Sequence, residues 1–237
     1  MDYQDAAYAE LYLDRLDAVA ALDRPPFELT REAARHLALW MSYEDTIRVA
    51  DLKTRASRIE RVRGEVRIAD GQLLHVTEFM HPRLREICEA LPAPLGRAIR
   101  GSSRLSAFLD RFFRKGRHVR TTGVGWFVLL RIMAGMRRLR PHSLRYGEEQ
   151  ARIERWLDRV RETAAWDLPL ATEFVRCQRL IKGYGDTFDR GLRNFDAIMA
   201  ARPTAAVPPV EFVRRLRELA LADEEGGQLA AALAAAG

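Results

Sequence analysis

The chain has 237 residues, 48% apolar and 30% charged, enough for one large or two small globular domains around a real core. Its two cysteines, Cys88 and Cys177, lie far apart with no CxxC, which excludes a disulfide framework and zinc or iron–sulfur sites built from thiolates. The net charge of +6 is uneven, because thirteen Lys/Arg and a single acid, Asp110, fall between Arg97 and Arg145, putting that segment at +12 and the rest at −6.

In chain order, residues 3–22 read as an amphipathic helix with Ala7, Leu11, Asp14/Arg15 and Ala18 along one stripe, ended by Pro25-Pro26. Thr30 then caps a long helix predicted over Thr30–Val62, and Gly64 stops it. At roughly 100° per residue, Glu44, Arg48, Asp51 and Arg55 fall in one stripe of that helix, between Trp40/Ile47 and Met41/Leu52/Ile59. Charges inside an apolar face need pairing or a partner. The alternation of sign at steps of four, three and four lets the ladder satisfy itself, and the alternative is that part of it faces a cleft or another subunit.

The period then changes. Val66, Ile68, Leu74 and Val76 alternate about Asp70-Gly71, which predicts one small β-hairpin near residues 65–79. Pro82 opens a short helix (83–91), and short basic helices follow at 95–100 and 103–114. Thr121/Thr122 cap the most apolar helix, 123–139, expected to be the central core helix, its glycines 123, 125 and 135 explained by close approach of another element. Its apolar run, Val124–Leu130, is far short of the roughly 20 residues of a membrane helix, and no leader pattern is evident, so a cytoplasmic protein with no membrane partner is expected.

Ser143 caps a helix running to about Trp166, and Asp167 caps the next, with Pro169 in its first turn and Leu170, Phe174, Cys177 and Ile181 inward. Asp186 caps a further helix carrying Phe188, Leu192, Phe195 and Ile198. The fold class expected is mainly α, about ten helices with one small hairpin, organised as a helical domain (1–202), a linker (203–209) and a C-terminal helical tail (210–237) with a frayed alanine-rich end.

Three constellations carry chemistry. The first is the charged stripe, Glu44, Arg48, Asp51 and Arg55, with Lys53 beside it. The second is the corner Leu180–Thr187, where Gly183 and Gly185 flank Tyr184 and the Asp186/Thr187 helix N-terminus, near Lys182 and Arg190, favours an anion. A helix-to-helix corner plugged by Tyr184 is the competing reading. The third is the basic segment, in which Arg114, Lys115, Arg117 and Arg120 are candidate contacts for an anion or an acidic partner. The five histidines form no HExxH or related pair, so no metal site is expected, and no catalytic triad can be assembled. Nucleic acid is disfavoured, since no reading motif accompanies the positive charge.

Three stretches, WMSYEDTIRVADLKTR (40–55), VTEFMHPRLREICEALPAPLGR (76–97) and LIKGYGDTFDRGLRNF (180–195), carry a resemblance. The chain resembles the C-terminal domain, of unknown function, of the β subunit of indolepyruvate:ferredoxin oxidoreductase, a region also found at the end of fused indolepyruvate oxidoreductases. The likeness runs from DYQDAAYAELYLDRL (2–16) through SLRYGEEQARIERWL (143–157) to Phe195. It implies a thiamine diphosphate and iron–sulfur system that oxidatively decarboxylates arylpyruvates to acyl-CoA and passes electrons to ferredoxin.

The thiamine-binding GDG…N segment, the cysteine-rich cluster motifs and the glycine-rich α/β domain of that system are absent from this sequence, so the expectation is an excised domain or free-standing relative, not catalytic alone and with no cofactor of its own. The leading function is a non-catalytic accessory domain that docks to or caps the core formed by the large thiamine/iron–sulfur subunit. The alternative is an anion- or CoA-binding module using segment 97–145, whose arginine forks suit phosphates.

Overall fold

Where one helix is expected over Thr30–Val62, the chain makes three, because short polar side chains offer backbone groups another partner. The computed structural model describes residues 2–66, 71–80, 83–113, 116–202 and 207–236. Among them it is mainly α, with thirteen α-helices and one two-stranded antiparallel sheet, in two compact units. The first unit comprises residues 5–42 and 152–237, the second residues 2–4 and 43–151.

The first unit begins with α1 (Ala6–Ala20) and α2 (Glu28–Met41). The second holds α3 (Thr46–Thr54), α4 (Ala56–Glu65), β1 (Thr77–Met80), α5 (Leu84–Ala90), α6 (Ala93–Gly101), α7 (Ser103–Phe113), β2 (Arg117–Arg120), α8 (Val124–Gly135) and a 3-10 stretch at Met136–His142. Helix α9 (Leu144–Ala164) starts in the second unit and ends in the first. The first unit is completed by α10 (Leu168–Arg176), a 3-10 turn at Cys177–Leu180, α11 (Gly185–Ala200), α12 (Pro209–Ala222) and α13 (Gly227–Ala236).

The helix breaks have local causes. The Ser42 hydroxyl donates back to the Ala38 carbonyl at 2.6 Å, and the Asp45 carboxylate caps α3 by accepting the Arg48 N–H at 2.7 Å. Arg55 is extended (ψ 138°) and separates α3 from α4. Thr30 is not the cap of α2, since its N–H and hydroxyl both donate to Asp23 at 2.8 Å. Ser143 and Asp167 act as expected, their side chains accepting the Tyr146 and Leu170 N–H groups.

The small sheet pairs distant segments. β1 lies at the end of the stretch expected to form a hairpin, and its partner is β2, in register from Thr77↔Arg120 to Met80↔Arg117. Thr121 and Thr122, expected to cap α8, extend this sheet: the Thr121 N–H donates to the Val76 carbonyl and the Thr122 hydroxyl accepts the Val76 N–H. Ile68 and Asp70 of the expected hairpin, Pro82, His81, Arg114, Lys115 and linker residues 203–206 lie outside the described residues.

The first unit carries the large buried side chains, Trp156, Phe174, Leu29, Leu37, Ile153, Leu157, Ile198 and Leu216. Trp156 stacks at 5.3 Å on Trp40, which meets Phe195 edge-on at 5.5 Å, and its ring N–H donates to the Phe174 carbonyl. The stripe expected on α10 is buried throughout at Leu170, Phe174, Cys177 and Ile181. Helix α13 buries Leu229, so the alanine-rich end is a packed helix where a frayed one was expected. Among the described residues no helix is long and apolar enough to cross a membrane.

Candidate functional site

The charged stripe is real but not buried in an apolar face. With the helix broken at 42–45, α3 sets its own phase: Ile47 and Ala50 are buried, Ala50 packing with Leu130 and Ala134 of α8, while Arg48, Asp51 and Arg55 lie to the side, partly exposed. Asp51 is held by Arg48 (3.1 Å) and by the Arg55 Nε (3.1 Å). A residue the wheel could not supply joins them, since the Asp2 carboxylate accepts from Arg48 at 2.6 Å and from Arg55 at 2.9 Å. Those hydrogen bonds bring the Asp2 carboxyl down to about 2. Glu44 is exposed between helices, outside this group, and Lys53 pairs with Glu78 of β1, which also takes Arg58. Burial, with Arg58 nearby, lowers the Lys53 pKa.

Next to this ladder lies the most buried cation of the unit. Arg140 forks onto Asp45 (2.6 and 3.0 Å), donates to the Tyr3 carbonyl (3.0 Å) and the Gln4 side chain (2.7 Å), and lies 4.3 Å over the Tyr3 ring. Arg145 lies 4.3 Å over the Tyr43 ring and pairs with Glu89 (2.7 Å) and Glu149 (2.9 Å). Burial pushes the Tyr43 hydroxyl up to about 12. The Tyr43-Glu44-Asp45 turn is thus anchored by two arginines of the basic segment. Arg100 likewise pairs with Glu148 at 3.1 Å, so that among the described residues Arg100, Arg140 and Arg145 of the basic segment each meet an acid of the unit.

The Gly-Tyr-Gly corner makes the turn into α11. Gly183 (φ +73°) and Gly185 (φ +56°) are both left-handed, which favours glycine, and half-exposed Tyr184 precedes α11 and does not plug the joint. Asp186 sits inside the first turn of α11, not at its cap, so the helix N-terminus carries its own carboxylate. Lys182 pairs with Glu224 (2.8 Å), Arg190 with Glu225 (3.6 Å) and with the Thr187 hydroxyl (3.5 Å). Both cations thus have an acidic neighbour in the α12–α13 loop, in pairs open to solvent. A small hollow here is lined by Lys182, Thr187, Gly191 and Asn194 among others.

Sequence reasoning missed a buried carboxylate. Glu173, 1% exposed on α10, receives Arg176 (2.9 Å), Arg217 (2.9 Å) and Arg214 (3.4 Å), and Arg176 reaches on to Glu28 and Glu32 of α2. Burial would raise the Glu173 pKa, but the Arg176 hydrogen bond and the Arg217 charge overcome it and hold the carboxyl below its usual value. The Glu173/Arg176 step was legible; the two α12 arginines were not. Cys177 beside it is fully buried, which pushes its thiol up to about 12, outside the reactive range. Among the described residues no three His, Cys, Asp or Glu side chains come together as a metal cage.

The largest departure from expectation is α8. Its residues are apolar almost all round, yet only Leu130 and Ala134 are buried, against α3; Val124 is 81% exposed, Ile132 62% and Val128 49%. It is not a core helix, because α3 covers one side and, among the described residues, the other side lies open. Helix α7 buries none of its residues, and Leu105, Phe108 and Phe112 lie open on one face. In the same segment Arg97, Arg104, Arg111, Arg117, Arg120, Arg131, Arg137 and Arg138 are exposed. Exposed apolar side chains on two helices of a strongly basic segment have the composition of a docking surface.

The fold and surface define a mainly α-helical protein whose second unit presents an open apolar and basic face. A family model described as "Family of unknown function (DUF6537)" matches residues 1–201, and the chain belongs to that family. No curated protein and no solved structure matches it.

Proposed function

We propose that this chain is a non-catalytic accessory domain of an indolepyruvate or arylpyruvate:ferredoxin oxidoreductase, cytoplasmic, docking to or capping the thiamine-dependent core through its second unit. The resemblance of stretches 40–55, 76–97 and 180–195 supports the choice of system. The observation that carries docking is the open face of α8: the most apolar helix of the chain leaves Val124, Val128, Leu129 and Ile132 in solvent. A helix apolar all round is stable where it is covered, so a partner surface is the natural cover. Thiamine diphosphate, iron–sulfur clusters and CoA belong in this reading to the large subunit, and the chain supplies contact, not chemistry.

The exposed arginines add steering toward an acidic surface. Co-expression with a large thiamine/iron–sulfur subunit of such an oxidoreductase tests the reading. We expect the two to co-elute, and the affinity to fall as salt shortens the Debye length below about 10 Å. Arg117→Glu with Arg131→Glu is expected to slow association and leave the fold intact. Separate elution at low salt, or stabilisation of the chain by CoA alone, would replace docking by another role; the latter would favour anion binding by the basic segment.

A further inference from the structure

We infer that the open face of α8 seats a helix of the partner, flanked by acidic side chains. This inference rests on the docking reading and specifies which element of the partner fits. Gly125, Val128, Leu129, Ile132 and Gly135 recur at helical spacing on the side of α8 opposite Leu130 and Ala134. Gly125 and Gly135 have ordinary negative φ, and a Cβ added at either would meet nothing within 4 Å. Nothing among the described residues requires glycine there, and alanine would favour the helix. Two glycines bracketing Val128 and Ile132 leave low points between apolar ridges, the relief into which the side chains of a crossing helix pack.

Charge selects among occupants. No acidic residue occurs between Asp110 and Glu148, while Arg117, Arg120, Arg131, Arg137 and Arg138 are exposed. A second copy placed face to face would set these cations against one another, with no carboxylate on α8 itself to offset them. A helix with an apolar stripe and acidic flanks meets both the ridges and the rim. Helix α8 therefore keeps two glycines at a cost in its own stability, and the contact with the partner is where they act.

The test uses the full chain and the purified large subunit. Replacing both glycines (Gly125→Ala with Gly135→Ala) is expected to raise the melting temperature of the chain while weakening its binding by about tenfold, as for filled pockets at an interface centre. A second variant, Ile132→Glu, is expected to weaken binding without lowering the melting temperature, through repulsion from the acidic flanks. Binding by the wild type with unchanged affinity in the glycine variant would overturn the helix seat and leave docking standing. No binding by the wild type would overturn the docking reading and the seat with it. Concentration-dependent dimerisation of the chain, lost in Ile132→Glu, would assign the face to a second copy instead.

Discussion

The two units use similar residues in opposite ways. In the first, Trp40, Trp156, Phe174 and Phe195 are buried against one another and even a carboxylate, Glu173, is enclosed by arginines. In the second, Val124, Ile132, Phe108 and Phe112 lie in solvent, and the buried centre at α3 and α8 is small, Ala50, Leu130 and Ala134 with Met80 and Met133 beside them. Beside Ile47, Cys88, Val119 and Leu144, the second unit also encloses ion pairs, Arg140 on Asp45 and Arg145 on Glu89 and Glu149. Apolar content alone does not make a core; a core needs a second face to close on.

The comparison predicts a steep contrast in mutational cost. Trp156→Ala removes a fully buried ring and its hydrogen bond to Phe174, and should cost about 3–5 kcal/mol. Ile132→Ala, on the open face of α8, should change the stability of the chain by no more than about 0.5 kcal/mol. Denaturant midpoints of the two variants check this, and similar losses would mean that α8 is covered within the chain.

The ionic part of the contrast comes next. Arg140→Ala leaves Asp45, 16% exposed, without its fork and should cost about 3 kcal/mol. Arg48→Ala breaks bonds to Asp51 and to Asp2, whose side chain is 65% exposed, and should cost about 1 kcal/mol or less. Had the stripe been buried in an apolar face, as the helical wheel suggests, the Arg48 loss would instead reach about 3–5 kcal/mol. Equal losses for the two variants would erase the distinction between the Arg140 anchor and the outer ladder.

The smallest expected effect concerns pH in the first unit. Burial lowers the His36 pKa, partly opposed by the 2.9 Å hydrogen bond with Gln178 and by Glu32, while Arg35 and Arg179 act with the burial. The unfolded chain therefore takes up the proton first, so the contribution of a neutral His36 is complete above about pH 6.5 and is lost as pH falls from there toward the lower folded value. Denaturation at pH 7.5 and 5.5 should show lower stability in acid, with the difference reduced in His36→Asn. An identical difference in that variant would place the titration elsewhere.

Much of the helical plan was legible in the sequence, because caps and periodicity are local. Ser143 and Asp167 cap α9 and α10, and the apolar stripe of α10 is buried as its spacing requires. The break at 42–45 was also written locally, in Ser42 and Asp45, but a continuous charged stripe is the stronger pattern until the interruption shifts its phase. The candidate sites fared differently. Arg48, Asp51 and Arg55 do converge, whereas Lys182 and Arg190 meet exposed acids of the α12–α13 loop, Glu224 and Glu225, that no local pattern announced.

What the sequence by itself determined is therefore the helical class, the positions of the good caps and the concentration of positive charge between Arg97 and Arg145, all of which depend on neighbours a few residues apart. Tertiary structure alone decided that β1 pairs with β2 across 37 residues from Met80 to Arg117, that Asp2 completes the Arg48–Arg55 ladder, and that the α12 arginines enclose Glu173. It also decided that the most apolar helix lies at the surface. Periodicity says which residues share a face of a helix, but whether anything covers that face depends on segments far away in the chain, and among the described residues α8 is covered on one side.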